Sequence, residues 1–429
     1  MYPEGTTKVV ANFTPRSGKW APEGINYVVP WGVRLIPYLI TRYFNDNFFY
    51  PHTNDLYYTI HNMKTNTLSS SQSSALQNTH AIRKRQQALD GLKITLSDYT
   101  NGDIDFSHFE ELQKHGELPI KWKVLESTRP VPFGTPVLTI ENTVPEFYWV
   151  PNFLETIISN LLWKPMTSAT IASAYYKLLS KYAFLTTGKT DFVKYQAHDF
   201  SFRGMDSPTA AVLSGLGHCL FFNSSDTIPV AQFIRQNYPL GERGLFKIVP
   251  ATEHSVMCAG TQEGEGETFD RLMKIYPKGL LSVVSDTWDL WKVITEIIAS
   301  RKDKIMARDG KLVIRPDSGD PVDIICGTDI ETSMDTDRSH LSPEEKGVVE
   351  LLWDIFGGSV TKQGFKVLHD CIGTIYGDSI TLKRAEDICE RLARKGFASI
   401  NVVFGIGSYT YQYNTRDTSA LQLKLLTVK

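Results

Sequence analysis

Residues 312–321 read LVIRPDSGDP, an apolar run that ends in Arg315, Asp317, Ser318 and Asp320. Pro316, Gly319 and Pro321 keep the turn out of helix. One guanidinium and two carboxylates on a rigid turn at the tip of a buried strand suit a ligand with both phosphates and hydroxyls. Similar endings recur down the chain. Arg203 and Arg315 offer planar forks for phosphate oxygens. Asp286, Asp317 and Asp378 suit ribose hydroxyls or, through water, a Mg²⁺ on a pyrophosphate. In FGIGS, Gly407 and its neighbours free backbone N–H groups for a phosphate. Phe200 and Phe202 flank Ser201, so one of them can face a flat ring. The Glu253-His254 pair supplies a general base or a nucleophile, whereas His198, His218 and His369 read as core or loop histidines. Each charged residue alone is as readily a solvated loop residue; after seven successive apolar runs that reading weakens.

The elements that must hold these groups are visible in their spacing. From residue 195 onward, seven short apolar runs each end in a polar landmark: Arg203, Asp226, His254, Asp286, Arg315, Asp378 and Gly407. Successive gaps are 23, 28, 32, 29, 63 and 29 residues. A strand, a helix and two loops need about 30 residues, so the pattern is a βα repeat with one enlarged step. That step contains the acidic DIETSMDTDRSHLSPEEK, expected as an exposed excursion. Ser342, Pro343 and Glu345 form a capping-box signature, with Gly357 as the stop. Leu382, Ala385, Ile388, Cys389 and Leu392 share one helical face. An irregular α/β barrel is expected over residues 151–429, with an open doubly wound sheet as the alternative, and in either the strands' carboxyl ends carry the site. Residues 1–150 are expected as a smaller, mixed β-rich domain. There, residues 120–143 alternate around Pro-Gly turns as an antiparallel unit, and the serine-rich 61–80 reads as exposed.

The 429 residues are 42% hydrophobic and 21% charged, with a net charge of −2. That balance argues against nucleic-acid or membrane-surface binding, and no apolar run reaches the length of a membrane span. The five widely spaced cysteines read as free thiols of a cytoplasmic protein, and no HExxH, paired-cysteine, P-loop or GxSxG pattern is present.

The stretches YPEGTTKV, ENTVPEFYWV, HDFSFRG, SSDTIP, VPATEHS, VVSDTWD, IRPDSGDP, YGDSI and VVFGIGS, in this order, resemble the nicotinamide phosphoribosyltransferases, a family of type II phosphoribosyltransferases. The resemblance runs from Tyr2 to about Arg416. It implies transfer of phosphoribosyl from phosphoribosyl pyrophosphate to nicotinamide, with Mg²⁺, in a homodimer with shared sites. It also implies that Phe200 stacks on the pyridine ring, Arg203 lies near ring and phosphate, and Asp226 accepts from the carboxamide. Asp286 would support the ring-binding wall, and Ser282 would be a further substrate-binding position. Arg315, Asp317, Gly377 and Asp378 would hold the phosphoribosyl group, and Gly407 and Ser408 its 5′-phosphate. Arg16, Arg416 and Lys424 match pyrophosphate-binding positions, and His254 matches a histidine phosphorylated by ATP. Gly204 stands where nicotinate enzymes tend to carry a second arginine.

The family also carries an Asp-Ser-Tyr-Lys motif ahead of its YP stretch, and continues differently after the position of Asp417. The sequence implies a smaller domain without most of the family's C-terminal strands. Two alternatives follow: a nicotinate phosphoribosyltransferase, and a nucleotide-binding remnant without turnover.

Overall fold

The structure is a computed structural model that describes residues 2–51, 70–102, 105–125, 129–237, 248–327, 340–377 and 379–428. Asp378 and residues 329–339 of the expected acidic excursion lie outside them. In chain order, the strands of the two main sheets are β1 (Val9–Pro15), β2 (Ile120–Val124), β3 (Leu138–Asn142), β4 (Ala197–Asp199), β5 (Lys278–Val284), β6 (Asp309–Arg315), β7 (Ile372–Tyr376), β8 (Val402–Ile406) and β9 (Leu421–Val428). The chain divides into two units: residues 1–17, 30–163 and 419–429, and residues 18–29 and 164–418.

The first unit is built on an antiparallel sheet in the order β9-β1-β3-β2. Strand β1 alternates buried and half-buried residues, so Val9, Ala11 and Phe13 face the core. Strands β2 and β3 are the antiparallel pair expected from residues 120–143, with Lys123 opposite Thr139. Of the segment expected as exposed, residues 61–69 lie outside the described residues, and residues 70–80 open a helix, Ser70–Thr100. Neither proline nor glycine interrupts residues 70–90, so the helix set by the later turns continues back through the serines.

The second unit holds a five-stranded parallel sheet, β4-β8-β7-β6-β5. Single parallel bridges, Asp199 to Ser225 and Ala251 to Ser282, extend it at either edge. All seven apolar runs therefore contribute to one curled, half-barrel sheet, although two give a bridge rather than a strand. Strand β7 is buried throughout, as expected of a parallel strand covered on both faces. The long helix α1 (Glu155–Thr187) carries Pro165 inside it, two residues beyond the last first-unit residue of that stretch, Trp163. Helices α2 (Pro208–His218), α3 (Glu265–Ile275), α4 (Pro343–Phe356) and α5 (Leu382–Arg394) alternate with the strands. The α4 capping box forms between Ser342 and Glu345, and Gly357 ends the helix at φ 64°. On α5, Ala385, Ile388, Cys389 and Leu392 are buried as their spacing predicts. Leu281, Val283, Leu312, Ile314, Ile372 and Phe404 form the core with them. Among the described residues no helix is long and apolar enough to cross a membrane, and all five cysteines are free, with Cys258 exposed.

Candidate active site at the strand ends of the second unit

The turn after β6 is fixed by its own charges. Arg315 donates from Nε to Asp317 Oδ1 (3.1 Å) and from a terminal nitrogen to Oδ2 (2.9 Å), a bidentate pair on a half-closed turn. The Asp317 amide donates to Asp286 Oδ2 at 2.8 Å, which ties this turn to the one after β5. Asp286 Oδ1 is buried without a hydrogen bond and lies 3.4 Å from His254 Nε2. His254 begins a short helix, His254–Cys258, and its side chain is half exposed.

A second cluster adjoins this one. Phe200 follows β4, and its amide donates to Ile406 O at the end of β8. The Arg315 guanidinium sits 5.0 Å from the centre of the Phe200 ring. Two glycines make room for that ring. A Cβ on Gly405 would lie 2.6 Å from Phe200 Cδ2, and one on Gly377 would meet Asp317 Oδ1 at 3.0 Å and Phe200 Cε2 at 3.5 Å. Phe202, the other aromatic beside Ser201, is 37% exposed, so Phe200 is the ring directed into the site. On the far side, His198 lies 4.6 Å from Phe200, and its Nε2 is 2.8 Å from Asp226 Oδ1.

Asp199 underpins both loops. Fully buried, it accepts from the amide and hydroxyl of Ser201 and from the hydroxyls of Ser225 and Thr227. Four donors satisfy a carboxylate that burial would otherwise penalise heavily. Gly204 closes the Phe202–Gly204 turn against the glycine loop: a Cβ there would be 2.0 Å from Ser408 Oγ. Arg203 points out of this turn to Glu253 Oε1 at 3.1 Å, both side chains largely exposed.

Gly407 caps helix α6 (Ser408–Tyr411), and a Cβ on it would enter open space, so the backbone there is open to a ligand. Helix α6 is clamped from behind. The buried Lys164 ammonium donates to Tyr411 O at 3.1 Å, and burial lowers its pKa. The Tyr411 hydroxyl meets His218 Nδ1 at 2.7 Å, and burial pushes that imidazole down to about 4. The Thr410 hydroxyl donates to Ile380 O, which also accepts from Tyr175.

The structure thus brings Phe200, Arg315, Asp317, Asp286, His254 and Gly377 together through direct contacts, with Asp226, Arg203, Gly407 and Ser408 on adjoining strand ends. Ser282 is buried within β5, its backbone engaged by residues 250–252. Arg416 is exposed in the second unit and pairs with Asp417. Arg16 and Lys424 are exposed residues of the first unit. His198, read from the sequence as a core or loop histidine, is buried in β4 and lies against Phe200 and Asp226. Its only sequence signal was the strict alternation with Phe200 on one strand face. Lys164, Tyr175, His218 and Asp199 gave none, because their roles depend on contacts far along the chain. Among the described residues no three histidine, cysteine or acidic side chains gather as a metal cage. Asp317 commits both oxygens to Arg315, which leaves Asp286 Oδ1 as the carboxylate oxygen without a hydrogen bond there.

Residues 195–429, which carry all of these strand ends, match the model of the nicotinate phosphoribosyltransferase (NAPRTase) family. Along 99% of its length the chain is 42% identical to the nicotinamide phosphoribosyltransferase of Acinetobacter baylyi, covering 78% of that protein. The chain belongs to the nicotinate phosphoribosyltransferase family. It is 39% identical to the nicotinamide phosphoribosyltransferase of Mycoplasma pneumoniae over 74% of this chain and 67% of that one. The fold is that of human nicotinic acid phosphoribosyltransferase (TM-score 0.51, 14% identity, covering 99% of this chain and 71% of that one). It is also that of the Pyrococcus furiosus nicotinate-nucleotide pyrophosphorylase (TM-score 0.50, 13% identity, 98% and 69%). As a nicotinate phosphoribosyltransferase family member the chain is a glycosyltransferase-type enzyme of pyridine-nucleotide biosynthesis.

Proposed function

We propose that the chain transfers phosphoribosyl from phosphoribosyl pyrophosphate to nicotinamide, giving nicotinamide mononucleotide and pyrophosphate. The observation that carries the reading is Asp226, an acid fixed by His198 beside the Phe200 ring. A pyridine ring lying on Phe200 would direct its 3-substituent toward this carboxylate. A carboxamide donates to it; a carboxylate is repelled. Two unit charges about 4 Å apart interact by roughly 4 kcal/mol at an effective dielectric near 20, enough to discriminate.

In the transfer, the pyridine nitrogen lone pair forms a bond to the anomeric carbon as the bond from that carbon to the pyrophosphate oxygen breaks. No proton need move. The Arg315–Asp317 pair, locked before substrate arrives, would face the positive charge that develops on the sugar without reorganising. Gly407 and Ser408 would take the 5′-phosphate, with Gly377 and Asp378 near the ribose. Ser282 and Asp286 would support the ring wall, and Arg203, on leaving Glu253, would reach the phosphates. Arg16 and, across a homodimer, Arg416 and Lys424 would serve the pyrophosphate. Mg²⁺, carried on pyrophosphate oxygens, would offset the charge of the leaving group, and Asp286 Oδ1 is the protein oxygen suited to it. His254, beside Asp286, would accept a phosphoryl group from ATP and so couple ATP hydrolysis to synthesis.

The test is product formation from nicotinamide, and separately from nicotinate, with phosphoribosyl pyrophosphate and Mg²⁺, with and without ATP, in wild type and Asp226→Ala. The reading expects nicotinamide mononucleotide from wild type and loss of the amide preference in the variant. Product from nicotinate alone would make the chain a nicotinate enzyme. Binding of nicotinamide mononucleotide without turnover would make it a binding remnant.

A further inference from the structure

His198 is the middle residue of β4, opposite Gly405 in the parallel register with β8. Strand alternation places His198 and Phe200 on one face and Asp199 on the other, consistent with the two rings lying 4.6 Å apart. The His198 side chain is 9% exposed, whereas that of Asp226 is 45% exposed. The Asp226 backbone is held on both sides: its amide donates to Asp199 O at 3.0 Å, and its carbonyl accepts from the Ile228 amide at 2.9 Å. What remains free is rotation of the carboxylate, and the 2.8 Å contact from His198 Nε2 to Oδ1 stops it. An ionised carboxylate only accepts, so Nε2 carries the proton. One carboxylate oxygen is thereby occupied, on a side chain that is otherwise half exposed.

We infer that His198 is a positioning residue that sets the pyridine selectivity of the enzyme. By occupying Oδ1 it presents Oδ2 of Asp226, ionised and fixed in direction, to the substituent of the incoming ring. The inference rests on the reading of Asp226 given above. It assigns amide-versus-acid discrimination to a pair rather than to one acid. Without its histidine, Asp226 would keep its charge but rotate, and its single favourable direction toward an amide N–H would be lost.

Asparagine and glutamine separate this role from simple space filling. The Gln side-chain nitrogen reaches about as far as Nε2, whereas the Asn nitrogen stops near the Nδ1 position. Wild type, His198→Asn, His198→Gln and Asp226→Ala would each be assayed with nicotinamide and with nicotinate, and their thermal midpoints compared. His198→Asn is expected to raise the KM for nicotinamide about ten- to a hundredfold, as losses of orienting partners commonly do. The turnover number should change less, and the preference for nicotinamide over nicotinate should fall by a similar factor. His198→Gln should restore most of both. Equal losses on the two substrates, or equal behaviour of Asn and Gln, would overturn the inference. So would an unchanged preference in His198→Asn when Asp226→Ala loses it, and that result would leave the reading of Asp226 intact. A wild type that forms neither mononucleotide would remove that reading and this inference with it. Should the variants not fold, ¹⁵N-histidine spectra of the wild-type chain decide. An Nε2–H that responds to nicotinamide binding supports the role, and one that does not rejects it.

Discussion

Adding one methyl group at Gly405 tests whether the site depends on the placement of the Phe200 ring. An ideal Cβ at 405 would lie 2.5 Å from Gly377 Cα and 2.6 and 2.8 Å from Phe200 Cδ2 and Cε2. Carbon atoms prefer separations of about 3.5–4.0 Å, so the methyl is roughly 1 Å too close to both neighbours. The Gly377 backbone follows directly on the β7–β8 ladder, where Tyr376 pairs with Phe404, and cannot easily yield. The ring can move away, whereas the contact with Gly377 Cα remains and is felt in stability. Overpacking of this size costs about 1–3 kcal/mol of stability. Displacing a stacking partner forfeits about 0.5–1.5 kcal/mol of ring contact. At 1.36 kcal/mol per factor of ten, the second figure is a roughly two- to tenfold rise in the KM for nicotinamide. The KM for phosphoribosyl pyrophosphate should move less. Steady-state kinetics with each substrate varied would measure both, and a thermal melt the first figure. The decisive control is Phe200→Ala, in which the methyl has no ring to displace, so Gly405→Ala should add little to the KM. An unchanged nicotinamide KM, or the same effect of Gly405→Ala with and without Phe200, would refute the argument.

Two other sites yield measurable expectations. Glu265, at the start of α3, is 3% exposed with Oε1 unpartnered, and burial raises its pKa to about 7. The folded state therefore holds its proton more tightly than the unfolded state, so this group's contribution is fully present below pH 4.5 and is lost as pH rises toward 7. Glu265→Gln should leave stability at pH 4.5 nearly unchanged and raise it at pH 8 by up to about 3 kcal/mol, read by denaturant titration. Lys164→Met should remove a buried donor from Tyr411 O, destabilise by about 1–3 kcal/mol, and raise the KM for phosphoribosyl pyrophosphate more than that for nicotinamide.

What the sequence disclosed and what it concealed divide along contact range. The βα rhythm was legible because each apolar run and its polar ending are local, and so were the α4 capping box and the buried face of α5. The two runs that became single bridges were not distinguishable, since whether a run forms a strand depends on how much neighbour it meets in the sheet. The helix over residues 70–80 was not legible, because serine-rich composition speaks of polarity, whereas the helix is set by the turns that follow. At the site, strand-end charges announced themselves by position. His198 did not, because a histidine inside a strand looks alike whether its ring fills space or aligns an acid 28 residues away. Nor did the close approaches of Gly204 to Ser408 and of Gly405 to Phe200, which join residues about 200 positions apart.

The pairing of β1 with β9 bears on how the protein is made. Residues 421–428 are synthesised about 280 residues after β3, although β1 lies between the two strands in the sheet. At about 5–20 residues per second, translation would leave one edge of β1 open for roughly 15 to 60 seconds while the second unit is already emerging from the ribosome. That edge runs through VVANFT, an apolar stretch of the kind that recruits foreign strands. A nascent-chain chaperone, or a brisk second-unit fold that shortens the wait, would guard this interval. Codon choice between residues 142 and 421 should accordingly affect the yield of native enzyme even where it leaves the protein sequence untouched.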